Sequence, residues 1–218
     1  MHANRPPTAA SDVVSAIEAA WRAIHDRHSD LADVVVVIGS GRAGREKGLW
    51  GHHWPGRWTA AGSGVDVAEL FIAGELLGLG GTRIFQTILH EAAHALAHAR
   101  GIKDHSRSGN RYHNRRFAQL ATELGLTPPQ KHSPANGYSD CTLEAETVAV
   151  YQSTIDSLDA AVTAYLADRP AKPTTYGRSG RRFVVACACG RRLQVSPRSY
   201  EDGPIICGRC GSAFRPTV

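Results

Sequence analysis

The sequence predicts an α+β fold in which a small antiparallel or mixed sheet packs with several helices, followed by a short cysteine-rich module. Three observations predict it. Apolar residues recur at helical spacing in several long runs, and strand-sized apolar runs lie between the first two of these runs. Four of the five cysteines are grouped in two pairs near the C-terminus.

The length and composition predict one main domain and one small module. The 218 residues are 42% hydrophobic and 21% charged, which is enough for one hydrophobic core and an accessory unit. Prolines and glycines in residues 169–180 predict a linker between a main domain at 1–168 and a module at 181–218. Residues 1–10 are polar and no apolar run has membrane length, so we expect a cytoplasmic protein that does not contact membranes.

The first part of the main domain alternates between predicted helix and predicted strand. A first helix is expected where apolar residues recur at helical spacing, and the strands are expected in short apolar runs bounded by turn residues. The predicted elements are a helix at 13–28, strands at 34–38, 57–61 and 67–73, and a glycine-rich turn at 78–81.

The second part is predominantly helical. Residues 83–100 form the clearest helical run, with Thr82 as the expected N-cap and Gly101 as the expected C-cap. A second helix is predicted by the apolar spacing of Phe117, Leu120, Ala121 and Leu124. A proline-containing loop at 127–137 and a long packing helix at 143–165 complete the domain.

A glycine-rich segment after the first strand imitates a dinucleotide-binding motif. Residues 39–44 match GxGxxG, but Gly48, Gly51 and Pro55 interrupt the helix that such a motif requires. We therefore expect no nucleotide cofactor and interpret the segment as a mobile loop. The aromatic residues beyond it either stack on unpaired bases, contact substrate or close a small core. They are Trp50, His52, His53, Trp54 and Trp58.

The pentapeptide HEAAH at residues 90–94 carries the clearest chemistry. His90 and His94 lie four residues apart in a predicted helix, so both imidazoles project from one face and can reach one metal ion. Glu91 then points towards the open coordination position of that metal. This arrangement predicts a catalytic zinc site that still needs a third protein ligand.

Several downstream residues could be the third ligand. His98 lies about 12 Å along the helix axis from His90, so these two residues and His94 cannot share one ion. His113 precedes the apolar face of the second helix by one turn and is favoured because it would point back towards the first helix. The alternatives are His105, Glu123, Glu144 and Glu146.

The C-terminal cysteines predict a second metal site. They form a CxC pair and a CxxC pair, each followed by glycine, and four thiolates on two tight turns can surround one structural zinc. Because a reducing cytosol is expected, disulfides are the less favoured alternative. The predicted ligands are Cys187, Cys189, Cys207 and Cys210, whereas Cys141 is expected to be a buried thiol.

The charge distribution predicts a nucleic-acid partner. Residues 169–218 contain ten arginines and lysines but two acidic residues, an excess of eight positive charges in a chain whose net charge is +5. The first 168 residues therefore carry a net charge of −3. A basic module on a slightly acidic body is typical of a nucleic-acid anchor. A second basic cluster comprises Arg100, Lys103, Arg107, Arg111, Arg115 and Arg116.

Together these motifs resemble the SprT-like zinc metallopeptidase family, which includes the Spartan proteases. The resemblance rests on LHEAAHA at 89–95, GNRYHNRRF at 109–117 and ELG at 123–125, and it covers roughly residues 30–150 with a second match near the C-terminus. It implies a zincin-like domain with zinc on His90, His94 and His113, Glu91 as the catalytic glutamate, and a C-terminal zinc ribbon. The CxC pair departs from the CxxC pair usual in such ribbons.

The expected function is zinc-dependent endopeptidase cleavage. The metal would acidify a water and Glu91 would act as general base, with Tyr112, Tyr138 and Arg111 as candidate oxyanion donors. The resemblance implies protein substrates bound or crosslinked to DNA. One alternative is a nucleic-acid-binding or transcription-associated zinc protein with little or no peptidase activity, and another is a peptidase that acts on soluble proteins without DNA.

Overall fold

A computed structural model describes residues 9–42, 48–106, 112–167 and 182–216. These residues belong to two compact units, Met1–Asp168 and Arg169–Val218. The predicted linker at 169–180 and the arginines at 107 and 111 lie outside the described residues. The described residues form six α-helices and several small sheets, which confirms the prediction of a mixed α+β protein.

The first unit combines a three-stranded sheet with five of the helices. Its larger elements are the helices α1 (Ala9–His25), α2 (Gly81–Ala99), α3 (Arg115–Glu123), α4 (Ala145–Val150) and α5 (Gln152–Ala161), the strands β1 (Val34–Gly39), β2 (Gly51–Thr59) and β3 (Asp66–Ala73), and a short 3₁₀ helix at Leu76–Leu79. Four two-residue strands pair as β4 (His105–Ser106) with β5 (Tyr112–His113) and β6 (Leu126–Thr127) with β7 (Thr142–Leu143).

The three-stranded sheet is mixed and has the order β1-β3-β2. β3 runs parallel to β1, with Val34 opposite Ala68, and antiparallel to β2, with Gly51 opposite Ile72. Side chains alternate along β3: Leu70 and Ile72 are fully buried in the core that the helices share. The residues between them point to the opposite face of the sheet because successive side chains of a strand alternate.

Helix α2 lies at the centre of this core. Ile84, Phe85, Ile88, Leu89 and Leu96 are fully buried, so the helix carrying HEAAH is enclosed on most of its surface. Burying one such side chain contributes roughly 1.5–3 kcal/mol to stability. The HEAAH motif therefore lies on a helix that the surrounding core holds in place.

Three sequence predictions need correction. The strand expected at 57–61 begins at Gly51, so it includes both histidines and the tryptophan that precede Pro55. The N-cap of α2 is Gly80 rather than Thr82, and the backbone N–H of Gly81 is instead satisfied by the Asp159 carboxylate at 2.6 Å. The C-cap of α2 is Arg100 rather than Gly101. Gly101 follows it with φ +62°, a left-handed conformation that glycine commonly adopts directly after a helix.

The single helix predicted over 143–165 is also wrong. It consists of α4 and α5, separated at Tyr151, whose φ of −108° departs from helical geometry. The Tyr151 ring packs 4.8 Å from that of Phe85 on α2. Val162 then becomes extended, and the N–H of Leu166 donates to the carbonyl of Gly74. Packing against other elements therefore overrides a continuous local periodicity.

The second unit is built around a small antiparallel sheet. Its elements are β8 (Phe183–Ala186), β9 (Arg192–Val195), the short helix α6 (Pro197–Glu201) and β10 (Arg215–Pro216), with the strand order β10-β8-β9. Val185, Cys187, Cys207 and Phe214 form its buried core. Four buried residues in the described part of this unit give little hydrophobic stabilisation, and units of this size usually need a further crosslink.

Candidate metal centres

Three histidines of the first unit bring their Nε2 atoms together. His90 and His94 project from the same face of α2, and His113 follows β4 on the paired strand β5, directly before α3. The Nε2 atom of His113 lies 3.2 Å from that of His90 and 3.1 Å from that of His94. Two nitrogens at about 2.05 Å from a tetrahedral zinc are separated by about 3.3 Å. The spacing is thus that of a metal-binding triad.

The hydrogen bonds of the opposite ring nitrogens determine which atoms can bind a cation. The Nδ1 atom of His94 lies 2.5 Å from the Asp104 carboxylate, and that of His113 lies 3.2 Å from the carbonyl oxygen of Asn136. Both partners accept, so both Nδ1 atoms carry the proton. The two Nε2 lone pairs consequently face each other, an arrangement that a positive ion between them stabilises.

The surrounding residues hold the three rings in place. The Phe117 ring is fully buried, and its centre lies 4.5–4.8 Å from the centres of all three imidazoles. The backbone around His113 is bonded on both sides, to the carbonyl of Asn136 and the N–H of Tyr138. Gly137 has φ +66°, and a Cβ there would lie 1.9 Å from the carbonyl oxygen of His113. Only glycine permits this approach.

Burial prepares the site for a cation. It lowers the pKa of His90 well below its usual value, with help from the neighbouring histidines, and also lowers the pKa of His94. Both imidazoles are therefore neutral, the form that binds metals. Burial alone would raise the pKa of Asp104, but hydrogen bonds with His105 and His94 outweigh it and hold the pKa well below the usual range.

Glu91 lies in a different environment from the histidines. It is 4% exposed, and burial raises its pKa to about 8, although the nearby backbone of His53 on β2 acts to lower this pKa. A Cβ on Gly51 would lie 3.0 Å from Oε1 of Glu91, so β2 passes directly over this carboxylate. A buried carboxyl group with a raised pKa beside histidines that could hold a metal ion is a candidate general base.

None of the alternatives to His113 as third ligand shares a metal-sized cluster with both His90 and His94, although His105 forms a second such group with His94 and Asp104. His105 bonds the second oxygen of Asp104 at 2.8 Å and stacks on His94 with the ring centres 4.7 Å apart. Glu123 forms a bidentate pair with Arg100 at 2.7 Å, and Glu144 accepts from Thr127. Glu146 is exposed on α4, and His98 lies near His53. His113 is the alternative that shares a metal-sized cluster with His90 and His94.

Sequence reasoning did not find Asp104 or Asn136. Asp104 stands ten residues after His94, and its effect depends on the tight turn between α2 and β4. Asn136 contributes through its backbone carbonyl, so its side chain carries no signal. Of the oxyanion candidates, the Tyr112 hydroxyl bonds His132 at 3.0 Å, and residue 111 is outside the described range.

The four C-terminal cysteines also converge. Their sulfur atoms lie within 4.8 Å of one another, with 3.3 Å between Cys187 and Cys189 and 3.8 Å between Cys189 and Cys207. Sulfurs at about 2.3 Å from a tetrahedral zinc are about 3.8 Å apart. All five cysteines are free thiols, Cys141 being buried in the first unit. The group could hold a metal ion.

Each cysteine pair lies on a tight turn that ends in glycine. The N–H groups of Gly190 and Gly211 donate to the carbonyls of Cys187 and Cys207, and both glycines have positive φ. Backbone N–H groups of residues 209 and 210 lower the pKa of Cys207 to about 6. Such donors favour the thiolate, the form that binds metals.

The remaining sequence predictions fall on other parts of the molecule. Glu75 accepts from the Ser40 hydroxyl at 2.8 Å and from the N–H of Gly41 at 3.0 Å, so the mobile loop predicted after β1 is anchored at these residues. Residues 43–47 are outside the described range. Arg100 is neutralised by Asp30 and Glu123, whereas Lys103, Arg115 and Arg116 are exposed.

No helix within the described ranges is both long enough and apolar enough to cross a membrane. Compared with known proteins, the chain matches no family model, no curated protein and no solved structure.

Proposed function

We propose that the chain is a zinc-dependent endopeptidase with an SprT-like, zincin-type catalytic domain and a C-terminal zinc ribbon. One observation carries the proposal: the Nε2 atoms of His94 on α2 and His113 on β5 lie 3.1 Å apart, and α2 also carries the buried Glu91. A purely structural zinc site needs no glutamate beside its first ligand and fills the fourth position with protein. Three histidines leave that position open.

The donor atoms support zinc at both centres. Three imidazoles and four thiolates are the ligand sets of catalytic and structural zinc, respectively. His90, His94 and His113 would hold the catalytic ion, and Cys187, Cys189, Cys207 and Cys210 the structural one. The oxygen-rich coordination that magnesium or calcium requires is not offered by either group.

Zinc in the histidine site would polarise the scissile carbonyl and acidify the attacking water. Glu91 would accept a proton from that water and deliver it to the leaving amine nitrogen. Without a metal ion, burial raises the pKa of Glu91 to about 8, and a neighbouring cation would lower that pKa and support the ionised form that accepts a proton. Asp104 keeps the Nδ1 proton of His94 in place throughout.

The sheet edge supports a peptide as the substrate. β2 pairs with β3 along one edge, and its Gly51 lies against Glu91, since a Cβ there would be 3.0 Å from Oε1 of that residue. An extended peptide laid along the other edge of β2 would present its carbonyl groups beside the catalytic carboxylate. Backbone recognition of this kind fits an endopeptidase that acts on protein chains.

DNA is the proposed partner because of the charges on both units. In residues 182–216 six arginines stand against two acidic residues, Glu201 and Asp202. In the first unit Arg115 and Arg116 occupy the first turn of α3, where the helix dipole disfavours cations. These arginines therefore do not stabilise the helix and are available to phosphates. We propose that the substrates are proteins bound or crosslinked to DNA.

The test compares metal content and protein cleavage for wild type and Glu91→Gln, with and without single-stranded DNA. The variant should retain about two zinc ions per chain and lose cleavage, because glutamine cannot accept the proton. Glu146→Gln changes an exposed glutamate and is the matched control. Full activity in Glu91→Gln would refute the mechanism.

A second candidate function is a nucleic-acid-binding zinc protein without peptidase activity. The observation that favours it is the concentration of arginines in the cysteine-rich unit, which would serve binding without catalysis. Two zinc ions with DNA binding but no cleavage in wild type would support this candidate instead. Cleavage that is independent of DNA, without salt-sensitive DNA binding, would support a peptidase for soluble proteins.

A further inference from the structure

The face of the three-stranded sheet opposite the helical core carries an unusual set of side chains. Since Leu70 and Ile72 point into the core, Glu69 and Phe71 point to the other face. Trp54 is 53% exposed and Trp58 is 42% exposed on this side. The outer sheet face is defined here as His52, Trp54, Arg57, Trp58, Glu69 and Phe71.

A buried carboxylate organises this face. Glu69 is 3% exposed, and its Oε2 accepts from Nε1 of Trp58 at 2.8 Å and from Nε of Arg57 at 2.9 Å. Its Oε1 lies 2.8 Å from Nε2 of His52. The Glu69 carboxylate therefore has partners within the face itself. These partners, His52, Arg57 and Trp58, line a cavity of about 470 Å³.

The exposed rings are held before any ligand binds. The Arg57 guanidinium lies 4.3 Å from the centre of the Trp54 ring, a cation–π contact, while its Nε bonds Glu69. The His52 ring stacks on Phe71 at 4.9 Å with an interplanar angle of 12°. Ordering exposed aromatic side chains in advance reduces the entropy lost on binding. The face therefore has the properties of a preformed binding platform.

We propose that the outer sheet face binds unpaired nucleotides of single-stranded nucleic acid. Bases would stack on the indole rings of Trp54 and Trp58, and a backbone phosphate would meet the terminal nitrogens of Arg57. A nucleotide combines a flat ring with an anion, which matches indole surfaces beside one guanidinium. This contact lies in the first unit and is separate from the DNA contact proposed for the zinc ribbon.

The position of the face relates nucleotide binding to the proposed active site. Trp54 lies three residues after Gly51 on the same strand, and a Cβ on Gly51 would lie 3.0 Å from Oε1 of Glu91. A nucleotide on Trp54 would therefore lie across β2 from the catalytic carboxylate. Nucleic acid held there would place an attached protein beside the proposed cleft.

The experiment uses the full-length, zinc-loaded protein and an oligothymidylate that carries photoreactive 5-iodouracil. Crosslinked residues are identified by mass spectrometry on wild type, so the result does not depend on the folding of a variant. Crosslinks are expected at Trp54 or Trp58. Crosslinks confined to residues 182–216, or their absence from the outer sheet face, would overturn the proposal.

Affinity measurements give a second test. Trp54→Ala should weaken oligothymidylate binding about 5- to 100-fold, as loss of one stacking residue does, whereas Trp54→Phe should retain most of it. Arg57→Gln should lower the salt dependence by about 0.7 in log–log slope. Tyr165→Ala removes an aromatic residue that is 62% exposed elsewhere and should have no effect. Zinc content and thermal unfolding verify each variant.

Unchanged affinity in folded Trp54→Ala would refute the platform even if the protease proposal holds. An equal loss of duplex and single-stranded DNA affinity in Trp54→Ala would refute it too, because paired bases cannot stack on the indoles. If instead a protein partner competes for Trp54 while oligothymidylate does not bind, the face is a protein-docking surface and the nucleotide proposal fails. None of these measurements uses peptide cleavage, so they are independent of the test of Glu91.

Discussion

Asp104→Asn is the variant that most directly tests how the histidine centre is built. The Asp104 carboxylate bonds His94 at 2.5 Å and His105 at 2.8 Å, and both bonds need an acceptor. An asparagine has the same shape but only one acceptor oxygen. The NH₂ group of the asparagine would therefore face one of the two ring N–H groups, and two donors would meet. The alternative is that the His94 proton moves from Nδ1 to Nε2, where it would occupy the lone pair that binds metal.

The expected consequence is weaker metal binding with little change in fold. Loss of such an outer hydrogen bond reduces metal affinity about 10- to 100-fold, which is about 1.4–2.8 kcal/mol. We expect the upper half of this range, because the carboxylate is only 13% exposed and no solvent can replace it fully.

The assay is competition with a chromogenic chelator on the full-length protein. The cysteine centre belongs to the other unit and is the internal reference, whose affinity should not change. Asp30→Asn is the control variant, since it removes a carboxylate from a surface pair with Arg100. If the histidine centre of Asp104→Asn binds zinc within about twofold of wild type, the tautomer argument is wrong.

Three further predictions follow from burial, ligand identity and pKa. Phe117→Ala should destabilise the first unit by about 3–5 kcal/mol in denaturant unfolding, since the ring is fully buried, and should weaken zinc binding because it packs against all three imidazoles. Cys187→Ser should lower the zinc content from about two to about one per chain, whereas Cys141→Ser should leave it unchanged. For metal-free Glu91→Gln protein, in which the raised pKa of Glu91 no longer opposes the effect, stability should fall as the pH decreases below 6.5, because the unfolded chain binds protons that buried His90 and His94 do not. Denaturant unfolding at pH 7.5 and 5.5 measures this loss, and equal stability would contradict the lowered pKa values.

The sequence by itself determined the features that depend on local backbone geometry. Residues four apart share a helical face, so the placement of His90 and His94 together needs only the helix. His113 was favoured for a similar reason, since the apolar spacing that begins at Phe117 indicates which way the preceding turn faces. The cysteine turns are local as well, because a glycine after each pair permits the backbone to close around the sulfurs.

The tertiary structure decided everything that depends on contacts between distant segments. Asp104 and the Asn136 carbonyl select the tautomers of two histidines, yet neither stands at a spacing that a local rule recognises. The helix break at Tyr151 and the anchoring of the first glycine loop by Glu75 likewise arise from packing and hydrogen bonds across the fold. In the sequence Glu69 has no feature that distinguishes it from other strand residues. The pairing of β3 with β2 brings its three partners, His52, Arg57 and Trp58, next to it. Hydrophobic periodicity indicates which face of a helix or strand is buried. Which residues pack against that face depends on the tertiary fold of the whole chain.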